Sequence, residues 1–428
     1  MNCNTQNAKI ASITEKTLII GIDVGSETHY ARAFDWRNYE YTKKPLEFSN
    51  TEAGFQTLRA WIKDIAEKHG KIAVIPGMEP TGHYWFALGK FLQDNGMVPV
   101  HVNPHHVKRS KELDDNNPNK NDRKDPKTIA ALVNEGRFSY PYIPTGIYAE
   151  IRSLSNLRFQ TQEELTRIKN RIARWFAIYF PEYKDVYGDL KAVSGRMVLK
   201  AAPLPEDIVE LGVEGVNQIW RDAKLRGAGM KRAKTLVSAA EHSIGSREAP
   251  EAARMELRNL LNDMDVYTAR IEELLRNIGE KLKEIPYIDK LMGIKGIGMV
   301  TVSGFIAEVG DIGRFDDPKQ LQKLAGLAIV ADSSGKHSGE SRISYRGRKR
   351  LRYVLYEAAI SVIGKNAEFR EIHEYYRTRE KNPLKKMQSV IAVACKILRV
   401  FYAILTKGVA YDGKKLLGDI RRPQIQSA

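Results

Sequence analysis

Four acidic side chains, Asp23, Glu79, Asp122 and Asp125, have the types and placement of a metal-binding set. Asp23 falls at the end of the apolar run Thr17-Leu18-Ile19-Ile20-Gly21-Ile22-Asp23-Val24, just before Gly25-Ser26. An aspartate at a strand end ordinarily only starts a turn. Glu79 likewise ends the apolar run Ile72 to Met78. A carboxylate at the edge of such a run costs free energy unless it is paired or bound to metal. Asp122 and Asp125 are three residues apart, a spacing that puts both on one face of a helix. The competing reading makes Asp125 a cap with Pro126 at the first helical position; a carboxylate has two oxygens and can serve both. Four such groups can hold two divalent ions roughly 3.5–4 Å apart, one at the attacking and one at the leaving oxygen. All-oxygen ligation selects Mg²⁺ or Mn²⁺.

A second set of candidates lies near the C-terminus. Ser334 precedes Gly335, with Ser333 beside it and His337 downstream. A Ser-Gly pair is commonly just a turn, and a nucleophilic serine needs a base or metal to activate it. The run Gly293 to Gly298 suits a helix-hairpin-helix, in which Lys295, Gly296 and Gly298 would meet a phosphate through the amides that open the following helix. A plain packing turn fits those glycines equally well. Arg342, Arg346, Arg348, Lys349, Arg350 and Arg352 form a basic cluster suited to the phosphate backbone, which positions a nucleic acid without reading its sequence. A solvated basic helix is the alternative.

These residues need elements to hold them. Short apolar runs at Thr17–Val24, His29–Phe34, Leu46–Phe48, Ile72–Met78 and Met97–Val102 predict strands. Thr51–Lys68, with Phe55, Leu58, Trp61, Ile62 and Ile65 on one face, predicts an amphipathic helix. Further helices are expected at about His83–Asp94 and Thr128–Val133, and Lys108–Lys127 reads as polar and mostly charged, with a loop-like Asp114-Asp115-Asn116-Asn117-Pro118. Residues 1–143 are thus an α/β domain of helices on a sheet. Residues 144–285 carry two heptad stretches, Ile147 to Tyr179 and Leu257 to Ile278, with Arg158 interrupting the first seam. They predict an antiparallel hairpin or an intermolecular coil that joins protomers; a plain bundle fits as well. A helical insert occupies about 190–248. Residues 286–410 form a mostly helical C-terminal domain, and 411–428 a polar tail.

Composition sets the bounds. The chain has 428 residues and a formal charge of +16, with Lys+Arg 68 against Asp+Glu 52. That excess favours a polyanionic partner through counterion release. Two cysteines, Cys3 and Cys395, support neither a zinc site nor a disulfide framework. Met1 to Lys16 lacks an apolar signal core. No run is expected to reach the roughly 18 apolar residues of a membrane span, so no membrane partner and a cytoplasmic protein are expected.

The motifs Gly21-Ile22-Asp23-Val24-Gly25, Met78-Glu79-Pro80-Thr81-Gly82 and Asn121-Asp122-Arg123-Lys124-Asp125 together resemble the N-terminal domain of insertion-sequence-110 family transposases. That family includes the Piv and MooV DNA invertases. The C-terminal half is similar to its second domain through Gly293 to Gly298, Gly313-Arg314-Phe315, Leu324-Ala325-Gly326-Leu327-Ala328, Ser334-Gly335 and Ile343-Ser344-Tyr345-Arg346-Gly347. The resemblance implies a ribonuclease-H-like fold akin to the junction nuclease RuvC. It implies an Asp-Glu-Asp-Asp tetrad at Asp23, Glu79, Asp122 and Asp125, although Pro126 stands where many members have alanine. It makes Ser334 a nucleophile that attaches to a DNA phosphate. It further implies a dimer or tetramer acting on DNA and, for at least some relatives, an element-encoded guide RNA. The function expected is metal-dependent DNA strand cleavage and exchange of an insertion sequence. The rivals are a RuvC-like nuclease without a serine step and a non-catalytic nucleic-acid-binding scaffold.

Overall fold

The computed structural model describes residues 6–80, 82–114, 125–188, 190–330, 333–334, 337–338 and 342–425, with backbone alone at 111–114, 333–334, 337–338, 419 and 421–425. The chain divides into two units, Met1–Ile143 and Pro144–Ala428.

The first unit opens with helix α1 (Gln6–Ala11) and is built on a mixed sheet. Strands β1 (Thr17–Val24), β2 (Thr28–Phe34), β3 (Leu46–Ser49), β4 (Ala73–Met78), β5 (Val100–Val102) and β6 (Phe138–Ser139) lie in the order β3-β2-β1-β4-β5-β6. β1, β4 and β5 run parallel; β2, β3 and β6 pair antiparallel. The crossovers run through α2 (Glu52–Lys68), α3 (Trp85–Asp94), α4 (Pro104–Asp114) and α5 (Asp125–Asn134). The alternation of side chains along β1 gives the sheet two cores. Leu18, Ile20 and Ile22 face α2 and α3, packing on Leu58, Ile62 and Leu88. Ile19 faces the other way, towards Ile129, Ala130 and Val133 of α5. The polar stretch Lys108–Asp114 continues α4: the helix opens at Pro104, and Val107 supplies an apolar anchor that is only 1% exposed; the loop-like residues 115–118 lie outside the described residues.

The second unit is helical apart from a short arm. Its helices are α6 (Gly146–Tyr179), α7 (Tyr183–Tyr187), α8 (Val193–Ala201), α9 (Pro205–Asp222), α10 (Met230–Glu241), α11 (Pro250–Leu282), α12 (Ile288–Met292), α13 (Met299–Val309), α14 (Pro318–Leu324), α15 (Lys349–Lys365), α16 (Ala367–Thr378), α17 (Lys386–Lys407) and α18 (Gly413–Ile425). Between α14 and α15 come β7 (Ile329–Val330), β8 (Ser333–Ser334), β9 (His337–Ser338) and β10 (Arg342–Ile343). The two heptad helices α6 and α11 pack antiparallel within one chain. The indole of Trp175, near the end of α6, donates to the carbonyl of Ala253, near the start of α11, at 3.0 Å. Leu165, Ile168 and Ile172 share a core with Leu257, Leu261 and Met264, so the seam read as a means of joining protomers is buried inside the chain. The insert α7–α10 closes over the same core through Trp220 and Leu236.

The expectation that no segment reaches membrane length is corrected by α17. Its 22 residues are long and apolar enough to span by length and composition. Its apolar face, Val393, Ala394, Ile397, Phe401 and Ile404, is instead buried in the C-terminal core against Phe305 and Leu355.

Candidate catalytic centre and nucleic-acid surface

Register brings two of the expected carboxylates together. Ile22 of β1 lies directly beside Met78 of β4 in a parallel pair. Asp23 and Glu79 each follow by one residue, so they leave adjacent strands side by side. Alternation sends both to the face covered by α5, because Ile22 and Met78 belong to the opposite core. Both carboxylates are half-buried. This is the carboxyl end of the parallel strands, the edge at which open α/β sheets bind ligands.

Two glycines let α5 reach that edge. A Cβ on Gly21 would lie 1.8 Å from the Pro126 carbonyl oxygen, and one on Gly77 would lie 2.5 Å from the Val133 side chain. Gly21 and Gly77 are themselves register partners. The first turn of α5 therefore lies directly on β1, two residues before Asp23. Asp125 is the first residue of that helix and is 9% exposed. The positive end of the helix dipole points the same way and favours ionised carboxylates. Asp122 lies outside the described residues. Among the described residues no three Asp, Glu, His or Cys side chains form a ready metal cluster; the described part of the set is Asp23, Glu79 and Asp125.

The sheet histidines face away from this edge. His101 pairs with Met78 in register and packs edge-on against Trp85 at 4.2 Å. Burial holds its imidazole down to about 4. His29 is lowered by burial too, with an Asn50 hydrogen bond opposing.

In the second unit, the motifs of the C-terminal half converge. The amide of Tyr345 donates to the Gly326 carbonyl at 3.1 Å, and that of Arg348 to Leu324 at 2.7 Å. A Cβ on Gly347 would lie 2.5 Å from both the Gly326 amide nitrogen and the Leu324 carbonyl oxygen. Gly326 adopts φ +68°, a left-handed conformation that glycine takes without strain. From this junction β7 and β10 pair through Ile329–Ile343 and Val330–Arg342, and β8 and β9 pair through Ser333–Ser338 and Ser334–His337. Ser334 therefore sits in the second of two successive antiparallel pairs, with His337 as its cross-strand neighbour. Ile329 and Val330 are exposed at the foot of this arm.

The basic run splits into two kinds of residue. Arg342, Arg346 and Lys349 are exposed around the foot of the arm. Arg348, Arg350 and Arg352 are half-buried and anchored. Arg348 donates to the Glu308 carbonyl at 2.7 Å and lies 3.4 Å from its carboxylate. Arg350 donates to Asn156 and stacks over Phe159 at 4.0 Å. Arg352 donates to the Ala325 and Tyr345 carbonyls at 3.0 and 3.3 Å. Sequence reading missed Arg158, the residue that interrupts the α6 seam. It lies beside Arg350, and burial together with that neighbouring charge lowers its pKa. Its interruption of the apolar pattern was the signal that could have found it.

Gly293 to Gly298 form the turn between α12 and α13. Gly296, at φ +98°, is held by packing: its carbonyl accepts from the Ser361 hydroxyl at 2.7 Å, and a Cβ there would lie 3.0 Å from the Val362 Cα. Lys295 and Gly298 are exposed. Beside Gly298 and the start of α13, a hollow of about 810 Å³ is flanked by Arg276 and Lys365.

Comparison with known proteins adds an independent line. A family described as transposase, with the carboxylate tetrad and IS110 in its name, matches residues 20–181. The transposase IS116/IS110/IS902 family matches residues 288–377. A Streptomyces clavuligerus protein named for insertion element IS116 is 24% identical over 388 residues, covering 90% of this chain and 94% of its own. A probable family 20 transposase of Pseudomonas aeruginosa is 22% identical over 92% of this chain and 98% of its own. A pilin gene-inverting protein of Moraxella bovis is 31% identical over 124 residues, 28% of this chain and 38% of its own.

Proposed function

The chain belongs to the IS110 family of transposases, and from that premise we propose that it moves an insertion sequence by metal-dependent cleavage and exchange of DNA strands. The observation that carries the proposal is the register of β1 and β4, which sets Asp23 beside Glu79 beneath the helix that begins at Asp125. In this reading residues 1–143 are the ribonuclease-H-like, RuvC-like catalytic domain, a view supported by a mixed sheet with carboxylates at the ends of its central parallel strands. Asp23, Glu79, Asp122 and Asp125 would hold Mg²⁺ or Mn²⁺, to which an all-oxygen donor set is suited. Bound divalent ions would stabilise the charge that develops on the scissile phosphate.

Ser334 is the proposed nucleophile. Its hydroxyl oxygen forms a new ester bond to phosphorus while one strand's sugar–oxygen bond to phosphorus breaks. The departing oxygen keeps the electron pair and takes a proton. A hydroxyl of the incoming strand reverses the step and frees the serine, so the energy of the phosphodiester is conserved without added nucleotide. Arg342 and Arg346, exposed at the foot of the arm, are placed to neutralise the phosphate. Lys295 and the amides at the start of α13 would take a backbone phosphate in the manner of a helix-hairpin-helix. An assembly of two or four chains would let one chain's carboxylates serve another's Ser334. An element-encoded guide RNA and a cytoplasmic location complete the proposal.

The test separates the two steps. Asp23→Asn or Glu79→Gln, or excess chelator, should lower strand cleavage by at least about a hundredfold, as loss of a charge-stabilising group does. Ser334→Ala should bind DNA yet form no covalent adduct, and Ser333→Ala should be much milder. Full cleavage in Asp23→Asn refutes the carboxylate site. An adduct that maps by mass spectrometry to a residue other than Ser334 refutes the serine.

A further inference from the structure

Neither matched family region reaches the helices between residues 182 and 287. Where they meet α6, the second unit holds a hollow of about 830 Å³, within the roughly 300–1,000 Å³ of small-ligand pockets. Its origin is local. Ala173 and Ala177 lie four apart on one face of α6, opposite Met264 and Thr268 of α11, and their small side chains leave the groove unfilled. Between the alanines Phe176 lies almost parallel to Tyr183, at 4.4 Å and 6°. The wall is therefore flat and aromatic.

The rim is cationic. Lys169, Lys184 and Lys191 are exposed around the hollow. Arg196 is fixed there by hydrogen bonds to the Leu190 and Lys191 carbonyls at 2.5 and 3.0 Å. Among the described residues of the lining the carboxylate is Asp265, and it is paired with Lys200. Flat apolar wall and positive rim together suit a planar ring joined to phosphate. A base inside a duplex is stacked and paired and cannot enter; an unpaired base can, and stacking on aromatic side chains is the usual way a single strand is held.

We propose that this hollow receives an unpaired base of single-stranded DNA, with its ring against Phe176 and its flanking phosphates on Lys169, Lys184 and Lys191. Strand exchange must expose such bases. The role rests on the proposed strand exchange but goes beyond the carboxylate and serine chemistry.

The experiment uses the full chain and a short oligo(dT) carrying one 4-thiothymidine. Irradiation followed by peptide mass spectrometry should place the crosslink on segments 169–196 or 264–268. Ala177→Trp fills the hollow from an exposed helical position. It should weaken oligo(dT) binding about tenfold, the scale of one lost base stack, while leaving duplex binding and the circular dichroism melt unchanged. Asp23→Asn should bind oligo(dT) as the parent does, which separates this site from the catalytic reading. Crosslinks confined to other segments, or parental oligo(dT) affinity in Ala177→Trp, overturn the proposal. So do equal competition by free ATP, binding of oligo(rU) but not oligo(dT), or a change in oligomeric state without a change in affinity. These last three assign the hollow to a free nucleotide, RNA or a second copy.

Discussion

Gly21 offers the sharpest test of how the sheet and α5 build the carboxylate edge. Alanine at this position adds one carbon, which would lie 1.8 Å from the Pro126 carbonyl oxygen and 3.1 Å from the Ala130 amide nitrogen. Both neighbours are helix backbone, so no side-chain rotation relieves the clash. Restoring ordinary contact requires α5 to recede by roughly 1.5 Å, which opens the packing of Ile129, Ala130 and Val133, all 0% exposed. Overpacking of this kind costs about 1–3 kcal/mol, which for a protein of this size lowers the melting temperature by roughly 1–3 °C. The larger effect is catalytic. Asp125 moves with the helix, and a misplacement of about 1 Å costs on the order of a hundredfold in rate. The assay is metal-dependent cleavage of element-end DNA below the melting transition, with circular dichroism to confirm that the variant is folded. Gly364→Ala is the control: a Cβ there meets nothing within 4 Å, and the change should stabilise by up to about 1 kcal/mol. If Gly21→Ala melts and cleaves like the parent, α5 does not set the carboxylate geometry.

Other outcomes follow from the same structure. Ile172 is 0% exposed in the core shared by α6 and α11, so Ile172→Asp buries an unpaired charge and should cost several kcal/mol; melting should fall sharply, and a folded variant that merely dissociates in light scattering would restore the intermolecular coil. His101, held down to about 4 by burial, resists a proton that the unfolded chain accepts below about pH 6.5. Its contribution is therefore complete above pH 6.5 and is lost as the pH falls towards 4, by on the order of 3 kcal/mol; urea midpoints against pH should show that slope flattened in His101→Asn, with His29 supplying the remainder. Arg348→Ala removes the partner of buried Glu308 and should lower stability by roughly 1.5–3 kcal/mol. Arg346→Ala should leave melting unchanged and reduce the salt slope of DNA binding by about one; equal effects of the two changes on melting would erase the division of the basic run.

The strand ends at Asp23 and Glu79 were legible because each ends a continuous apolar run, and such runs become buried strands wherever both faces are covered. Their neighbourhood was not. Nothing in the one-dimensional pattern says that Ile22 pairs with Met78, and a slip of one residue would have sent Glu79 to the opposite face from Asp23. The glycines Gly21 and Gly77 lie inside those runs, where a glycine ordinarily only weakens a strand. In the sheet they are the two register partners whose missing side chains admit α5. Helix α4 was not read as a helix, because its exposed charges hide a narrow apolar face carried by Val107.

In the second unit, periodicity found α6 and α11 but left open which surface would bury their seams. A seam is indifferent to whether its partner is another chain or the same one; the insert between the two helices decides it, by returning the chain antiparallel so that Trp175 meets Ala253. The basic run carries the opposite ambiguity, since charge alone does not say which guanidiniums face solvent. Arg348, Arg350 and Arg352 alternate with the helix surface, and each finds a carbonyl, amide or aromatic partner inside the unit. That anchoring fixes the foot of the arm from which Ser334 is presented, while Arg342 and Arg346 remain at its surface. Under the proposed function, stability and phosphate contact would fall to different arginines of one motif. A charge count over residues 342–352 therefore overstates the DNA-facing charge, and the measured salt slope should be set by the exposed residues rather than by the whole run.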